Sequence, residues 1–188
     1  MFSVDQFVAD CLDALHRERS HGGAAVKEVL EGAVSNPNAI EAAIGSPQDL
    51  PVFSSWFNSE ELTVLHVVWP PAVDLMAHDH KMWAAIGLYG GREDNRFFRR
   101  LPEGGLEARN LRTLSGGDAI LLGDDTVHAV ANPSRQWTGA IHVYGGDYFR
   151  SGRRMWPDPN CPPIEFDAAE LMSVLDDAAQ RARRGASA

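Results

Sequence analysis

The chain has 188 residues, is 44% hydrophobic and 23% charged, and carries a formal net charge of -9 at pH 7, which describes one globular domain with a substantial core. Nucleic-acid binding is disfavoured, because phosphate recognition needs a positive footprint and no basic block precedes the short Arg181–Arg184 tail. No apolar run approaches the roughly 18 residues of a membrane span, the acidic N-terminal helix is unlike a signal peptide, and Cys11 and Cys161 suggest no disulfide framework, so a cytoplasmic protein without a membrane or nucleic-acid partner is expected.

Ser3-Val4-Asp5-Gln6 fits a capping box, and Val4, Phe7, Val8, Cys11, Leu12 and Leu15 follow at helical spacing. A second stripe runs Val26, Val29, Leu30, Ala33 and Val34. Asn36-Pro37 then reads as an N-cap with proline at the first helical position, and that short helix stops at Gly45. Residues 1–45 form an N-terminal helical segment. Cys11 lies on the buried stripe with nothing basic placed to activate its thiol.

From about Val52 the texture changes. Leu62–Trp69, Trp83–Tyr89, Arg96–Leu101, Leu106–Leu114, Ala119–Leu122, Val127–Ala131 and Trp137–Tyr144 read as short strands separated by Gly, Pro, Asp and Asn. Seven such strands indicate a mainly β sandwich or barrel over residues 52–150, not βαβ units. A C-terminal helix over 165–184 follows, opened by Asp167-Ala168-Ala169-Glu170 and lined by Leu171, Met172, Leu175, Ala178 and Ala179, with fraying expected at its end. The whole chain, 1–188, is expected to be a single domain.

His78 and His80 stand at i and i+2 near a strand edge, so their imidazoles share a face. His128, far downstream, can complete a three-histidine metal site. Neutral imidazole suits iron, zinc, copper and nickel, and three ligands on one side leave positions open for other molecules. Met82 and Ala84 share the parity of the histidine pair and are expected to line a substrate pocket. Asp79 points the other way. His66, with parity opposite to Trp69, is expected at the surface, with a fourth nitrogen near the site as the alternative, and Glu93 is expected to be a turn or salt-bridge residue.

His78-Asp79-His80, with Gly91 after the strand, resembles the first cupin motif, and Gly117 to His128 to Asn132 resembles the second, with Gly123 where proline is usual. The resemblance implies a cupin double-stranded β-helix, or jelly-roll, barrel. Many cupins carry a glutamate ligand three or four residues after the histidine pair; here Ala84 and Ala85 occupy those positions. A cupin with three histidines and no glutamate is similar to the cysteine dioxygenase family of thiol dioxygenases, over about Thr63 to Tyr148. Trp69, the His-Asp-His core and Ile141-His142-Val143-Tyr144 carry the likeness.

That resemblance implies Fe(II) held by His78, His80 and His128, with a small thiol and O2 as substrates; the sequence leaves the oligomeric state open, and a monomer or small homo-oligomer is expected. The resemblance also implies Tyr144 with its hydroxyl near the metal, oriented by His142. Two departures bear on the substrate. Ala140 stands where family members carry the outer serine of a Ser-x-His-x-Tyr triad, and Pro51–Trp69 holds no arginine to pin a carboxylate. Arg150, Arg153 or Arg154 could supply that charge, although an Arg-rich loop is ordinarily solvated. Cupins also serve as lyases, isomerases and decarboxylases with other metals, and as non-catalytic binding barrels, since fold does not fix function.

Overall fold

The structure, a computed structural model, describes residues 1–18, 21–150 and 152–185. Three helices open the chain: α1 (Val4–Arg17), α2 (Gly22–Val34) and α3 (Pro37–Ile44). Ser3 caps α1 by accepting from the Gln6 amide. The reciprocal half of the capping box is not made, because the Gln6 side chain donates to Asp10 one turn on. Asn36 caps α3 and Pro37 begins it.

Twelve strands follow: β1 (Phe53–Asn58), β2 (Thr63–Trp69), β3 (Val73–Asp74), β4 (Ala77–Asp79), β5 (Ala84–Gly90), β6 (Arg92–Arg100), β7 (Leu106–Ser115), β8 (Ala119–Leu122), β9 (Val127–Asn132), β10 (Thr138–Tyr144), β11 (Arg154–Trp156) and β12 (Ile164–Glu165). Helix α4 (Ala168–Gly185) closes the described chain. The expected fraying of its end falls partly on residues 186–188, which lie outside the described residues.

One antiparallel sheet has the order β1-β2-β10-β5-β8, and the other runs β12-β11-β4-β9-β6-β7 with β3 beside β9. From β4 to β11 the chain passes back and forth between them: β4, β6, β7, β9 and β11 lie in one, β5, β8 and β10 in the other. This is the winding of a double-stranded β-helix, so the jelly-roll expectation holds.

The central strands of the first sheet, β2, β10 and β5, are buried on both faces, which explains why they read as nearly unbroken apolar runs. Leu65, Val67, Trp69, Ala84, Ile86, Leu88, Ala140 and Tyr144 face the barrel interior, where Leu171 and Leu175 of α4 join them. The alternate residues Val64, Ala85, Tyr89, Ile141 and Val143 pack under α1–α3. Gly87 lets α2 sit this close, since a Cβ there would lie 2.8 Å from the Leu30 side chain.

Cys11 is fully buried in this helical layer, and burial, helped by the Asp10 charge, pushes its thiol up to about 12. His66 corrects an expectation. It is not at the surface but 2% exposed, with Nε2 2.8 Å from the Tyr89 hydroxyl and its ring stacked on Trp56. The helical layer covers the sheet face that parity alone would have given to solvent.

Candidate metal centre

β4 and β9 are antiparallel neighbours, and their register places His78 directly opposite His128. His80 lies one residue beyond β4, where Lys81 takes a φ of 60° and breaks the strand. The three histidines are buried, and one ligand atom from each lies within 4.8 Å of the others. The Nε2 atoms of His80 and His128 are 3.0 Å apart.

The opposite ring nitrogens of His78 and His128 are tied back, whereas His80 Nδ1 is buried without a hydrogen-bond partner. His78 Nδ1 lies 3.2 Å from the Met76 carbonyl, and His128 Nδ1 lies 2.8 Å from the Asn95 side-chain oxygen. Both acceptors call for a proton on Nδ1, which leaves the Nε2 lone pair free. Carbonyl and amide partners of this kind set the tautomer and aim of a metal-binding histidine. Burial lowers all three imidazoles, His78 to about 4 and His80 and His128 well below the usual histidine value. They are therefore neutral at pH 7, the form that ligates. Three buried, neutral imidazoles whose ligand atoms all lie within 4.8 Å of one another form a donor set that fits a bound metal ion.

Asp79, between His78 and His80, is fully buried on the opposite face. It accepts from Arg100 at 2.8 Å and from the Arg154 amide at 2.8 Å, and Lys81 is 3.1 Å away. It anchors the strand rather than joining the ligands.

The other two expected residues meet in the structure. His142 and Tyr144 point the same way from β10, and His142 Nδ1 is 3.0 Å from the Tyr144 hydroxyl. The Tyr144 ring lies 5.0 Å from that of His80. A small cavity of about 20 Å³ is lined by the three histidines, His142, Tyr144, Trp69 and apolar side chains that include Leu171 and Leu175 of α4. That is room for about one water molecule. Met82 and Ala84 are not among its lining residues. Ala84 lies in the barrel core, and Met82, beyond the break at Lys81, rests near Gly146. A larger groove of about 740 Å³ runs over the outer face of the second sheet past Phe98, Ala129 and Trp156, and no histidine lines it.

Two residues were misread from the sequence. Glu93 is not a turn residue: it lies on β6, completely buried, and the basic partner nearest its carboxylate is the His142 imidazole at 3.9 Å. Trp69 Nε1 donates to Glu93, as does Asn95 Nδ2 at 2.8 Å. Burial outweighs these two donors and raises its carboxyl to about 7. Gly91 sets the β5–β6 turn that delivers it, at φ 78°, where a Cβ would strike Thr138 Oγ1 at 2.2 Å.

Arg153 is not a solvated loop arginine. It is 8% exposed, with its guanidinium 3.7 Å from the centre of the Tyr148 ring and 3.8 Å from that of Phe166. Those rings border the site: Tyr148 is 4.5 Å from Tyr144 and Phe166 is 6.0 Å from His78. The charge of Arg153 bears on His78, His80 and Tyr144. Its Nη1 has no hydrogen-bond partner, and among the described residues no carboxylate forms an ion pair with it. Arg150 and Arg154, by contrast, are exposed.

No protein-family model matches the chain, and no curated protein matches it either. Among solved structures it is similar to a protein from Bacillus halodurans (14% identity, 66% of this chain and 86% of that one, TM-score 0.48). It is also similar to a double-stranded β-helix protein from Klebsiella pneumoniae (15% identity, 57% and 80%, TM-score 0.45). A third similar structure is the DMSP lyase of Ruegeria pomeroyi (18% identity, 50% and 43%, TM-score 0.41). Likenesses this distant carry no argument about activity, which rests on the site itself.

Proposed function

We propose that the chain is a mononuclear non-haem iron oxidoreductase that adds O2 to the sulfur of a small thiol bearing an anionic group. One thiol and one dioxygen give one sulfinic acid, with both oxygen atoms in the product and no outside reductant. The observation that carries this reading is the convergence of three buried neutral imidazoles, with no carboxylate among them, beside a tyrosine hydroxyl held by a histidine. It accords with the likeness of the sequence to thiol dioxygenases.

Iron(II) held by His78, His80 and His128 would supply the redox chemistry that joins dioxygen to sulfur. The chain's own residues do the rest. The Met76 carbonyl and Asn95 fix the aim of two ligands. Tyr144 presents a hydroxyl at the cavity wall, and His142 holds it there. Arg153, held by Tyr148 and Phe166, offers its buried, unpartnered Nη1 to the substrate's anionic group. A buried guanidinium forms far stronger charge-assisted hydrogen bonds than a solvated one. Phe53, Val67, Leu171 and Leu175 keep bulk water out.

Metal analysis of the purified protein, followed by oxygen-electrode assays of the iron-loaded form with thiols with and without a carboxylate, tests this. Iron near one per chain with thiol-dependent oxygen uptake supports the reading. Silence across the thiol panel overturns it.

A further inference from the structure

Glu93, Asn95 and Phe97 alternate along β6, and their side chains lie against His142, His128 Nδ1 and the His128 ring respectively. Asn95 receives His128 Nδ1 at 2.8 Å and donates to Glu93 at 2.8 Å. On its far side Glu93 Oε2 lies 3.9 Å from His142 Nε2, and that buried nitrogen has no hydrogen-bond partner. The other nitrogen of the same ring meets the Tyr144 hydroxyl at 3.0 Å. The polar groups thus run Tyr144, His142, Glu93, Asn95, His128, from the cavity wall round to a metal ligand. Ala140, on the same strand as His142, offers that ring no hydroxyl.

We propose that Glu93 is the outer, proton-holding partner of His142, and that its proton sets which way the Tyr144 hydroxyl points. A shift of about 1 Å brings Oε2 and Nε2 to hydrogen-bond length. With Glu93 protonated, its O–H donates to Nε2, the imidazole proton sits on Nδ1 and donates to the Tyr144 oxygen, and the phenolic hydrogen is free to point into the cavity. With Glu93 ionised, the imidazole proton sits on Nε2 and faces the carboxylate, Nδ1 becomes an acceptor, and the phenolic hydrogen turns back toward it.

Passing from the first arrangement to the second moves one proton along the chain. Glu93 O–H protonates Nε2, Nδ1–H protonates the Tyr144 oxygen, and the original phenolic proton is released into the cavity. One proton leaves Glu93, one arrives at the site, and no electron moves. His142 from β10 is the titratable group facing Glu93. Its other partners, Trp69 from β2 and Asn95 from β6, are uncharged, and Tyr144 and His128 lie one step further along the run. Burial lowers the His142 imidazole to about 3 and raises the Glu93 carboxyl to about 7, so the ring stays neutral while the carboxyl titrates.

The proposal shares with the functional reading only the premise that Tyr144 faces the reacting molecules, and its test needs no turnover. The chain has three tyrosines, so the Cζ carbon signal of Tyr144 is assignable by its loss in Tyr144→Phe. That signal is followed across neutral pH in metal-free and zinc-loaded protein, alongside the infrared band of a buried protonated carboxyl. The carboxyl band and the Tyr144 signal are expected to titrate with one midpoint near neutrality, and both changes are expected to vanish in Glu93→Gln. A carboxyl band that titrates while the Tyr144 signal stays flat, or a Tyr144 titration unchanged in Glu93→Gln, would overturn it. If Glu93→Gln does not fold, the coincidence of the two midpoints in the unsubstituted protein decides alone. Thiol oxidation could fail entirely without disturbing either spectrum.

Discussion

His78 and His128 occupy opposed positions in the antiparallel register of β4 and β9, and their rings lie 4.8 Å apart. Opposed residues on adjacent strands share a face, so the pairing that builds the sheet also brings two ligands together. His80 joins them because the chain leaves the strand immediately afterwards. The centre is therefore part of the barrel wall rather than a loop assembly, and its ligand geometry exists before any ion arrives.

Asn95 holds His128 from behind, so its removal should weaken the centre without touching a ligand. Asn95→Ala is expected to lower metal affinity by about 10- to 100-fold, the usual effect of losing a partner that orients a ligand. His128→Ala is expected to abolish stoichiometric binding. Equilibrium titration with a chromophoric chelator measures both, and unchanged affinity in His128→Ala would remove the centre from consideration.

Arg153 makes substrate charge a measurable preference. Arg153→Gln is expected to raise KM for thiols carrying a carboxylate by about 30-fold or more, the scale of about 2 kcal/mol for one lost partner of a buried charge pair. KM for uncharged thiols should move little. A uniform loss across both classes would make Arg153 a structural residue.

The cavity holds about one water with Leu171 and Leu175 of α4 in its wall, so a thiol needs that wall to move to reach the histidines. Leu175 is fully buried in that wall. Leu175→Ala is expected to cost about 2–5 kcal/mol in denaturant unfolding and, by enlarging the cavity, to lower KM for the bulkier thiols. Destabilisation with no change in size preference would show that α4 does not limit access.

Burial also fixes how the metal-free protein responds to acid. His66 and His78 are lowered to about 4, His142 to about 3, and His80 and His128 well below the usual histidine value. As pH falls through about 6.5 the unfolded chain takes up these protons and the folded one does not. Stability then falls by up to about 1.4 kcal/mol per pH unit for each histidine. Glu93 acts in the opposite sense: its raised carboxyl holds a proton between about 7 and 4.5 that the unfolded chain releases, which favours folding on acidification. One carboxyl cannot offset five imidazoles. Thermal melts of the metal-free protein should show Tm dropping steeply below about pH 6, and a flat profile there would contradict the buried, neutral assignment.

The barrel was legible in the sequence where strands are long and apolar. Thr63–Trp69, Ala84–Gly90 and Thr138–Tyr144 all fall within a residue or two of the segments expected, because burial on both sheet faces imposes a composition that turns do not share. The short strands β3, β4, β11 and β12 carry no such signature; pairing with longer neighbours forms them. The histidine cluster was readable because its residue types are rare and its spacing is strict. Glu93 was not readable: Arg92-Glu93-Asp94-Asn95-Arg96 is polar throughout, so the alternation that buries Glu93 and Asn95 leaves no hydropathy trace. Arg153 hid likewise among Arg150 and Arg154. What distinguishes it is the pair of rings from Tyr148 and Phe166, and Phe166 comes from a separate segment of the chain.

The central claim is that the three-histidine centre joins dioxygen to sulfur. The most direct measurement is mass analysis of the product formed by iron-loaded protein from a small carboxylate-bearing thiol under oxygen-18 gas. A sulfinate carrying two labelled oxygen atoms, formed by the unsubstituted protein and not by His128→Ala, is the result this account expects. Thiol recovered unchanged, or a product whose oxygen comes from water, would contradict it.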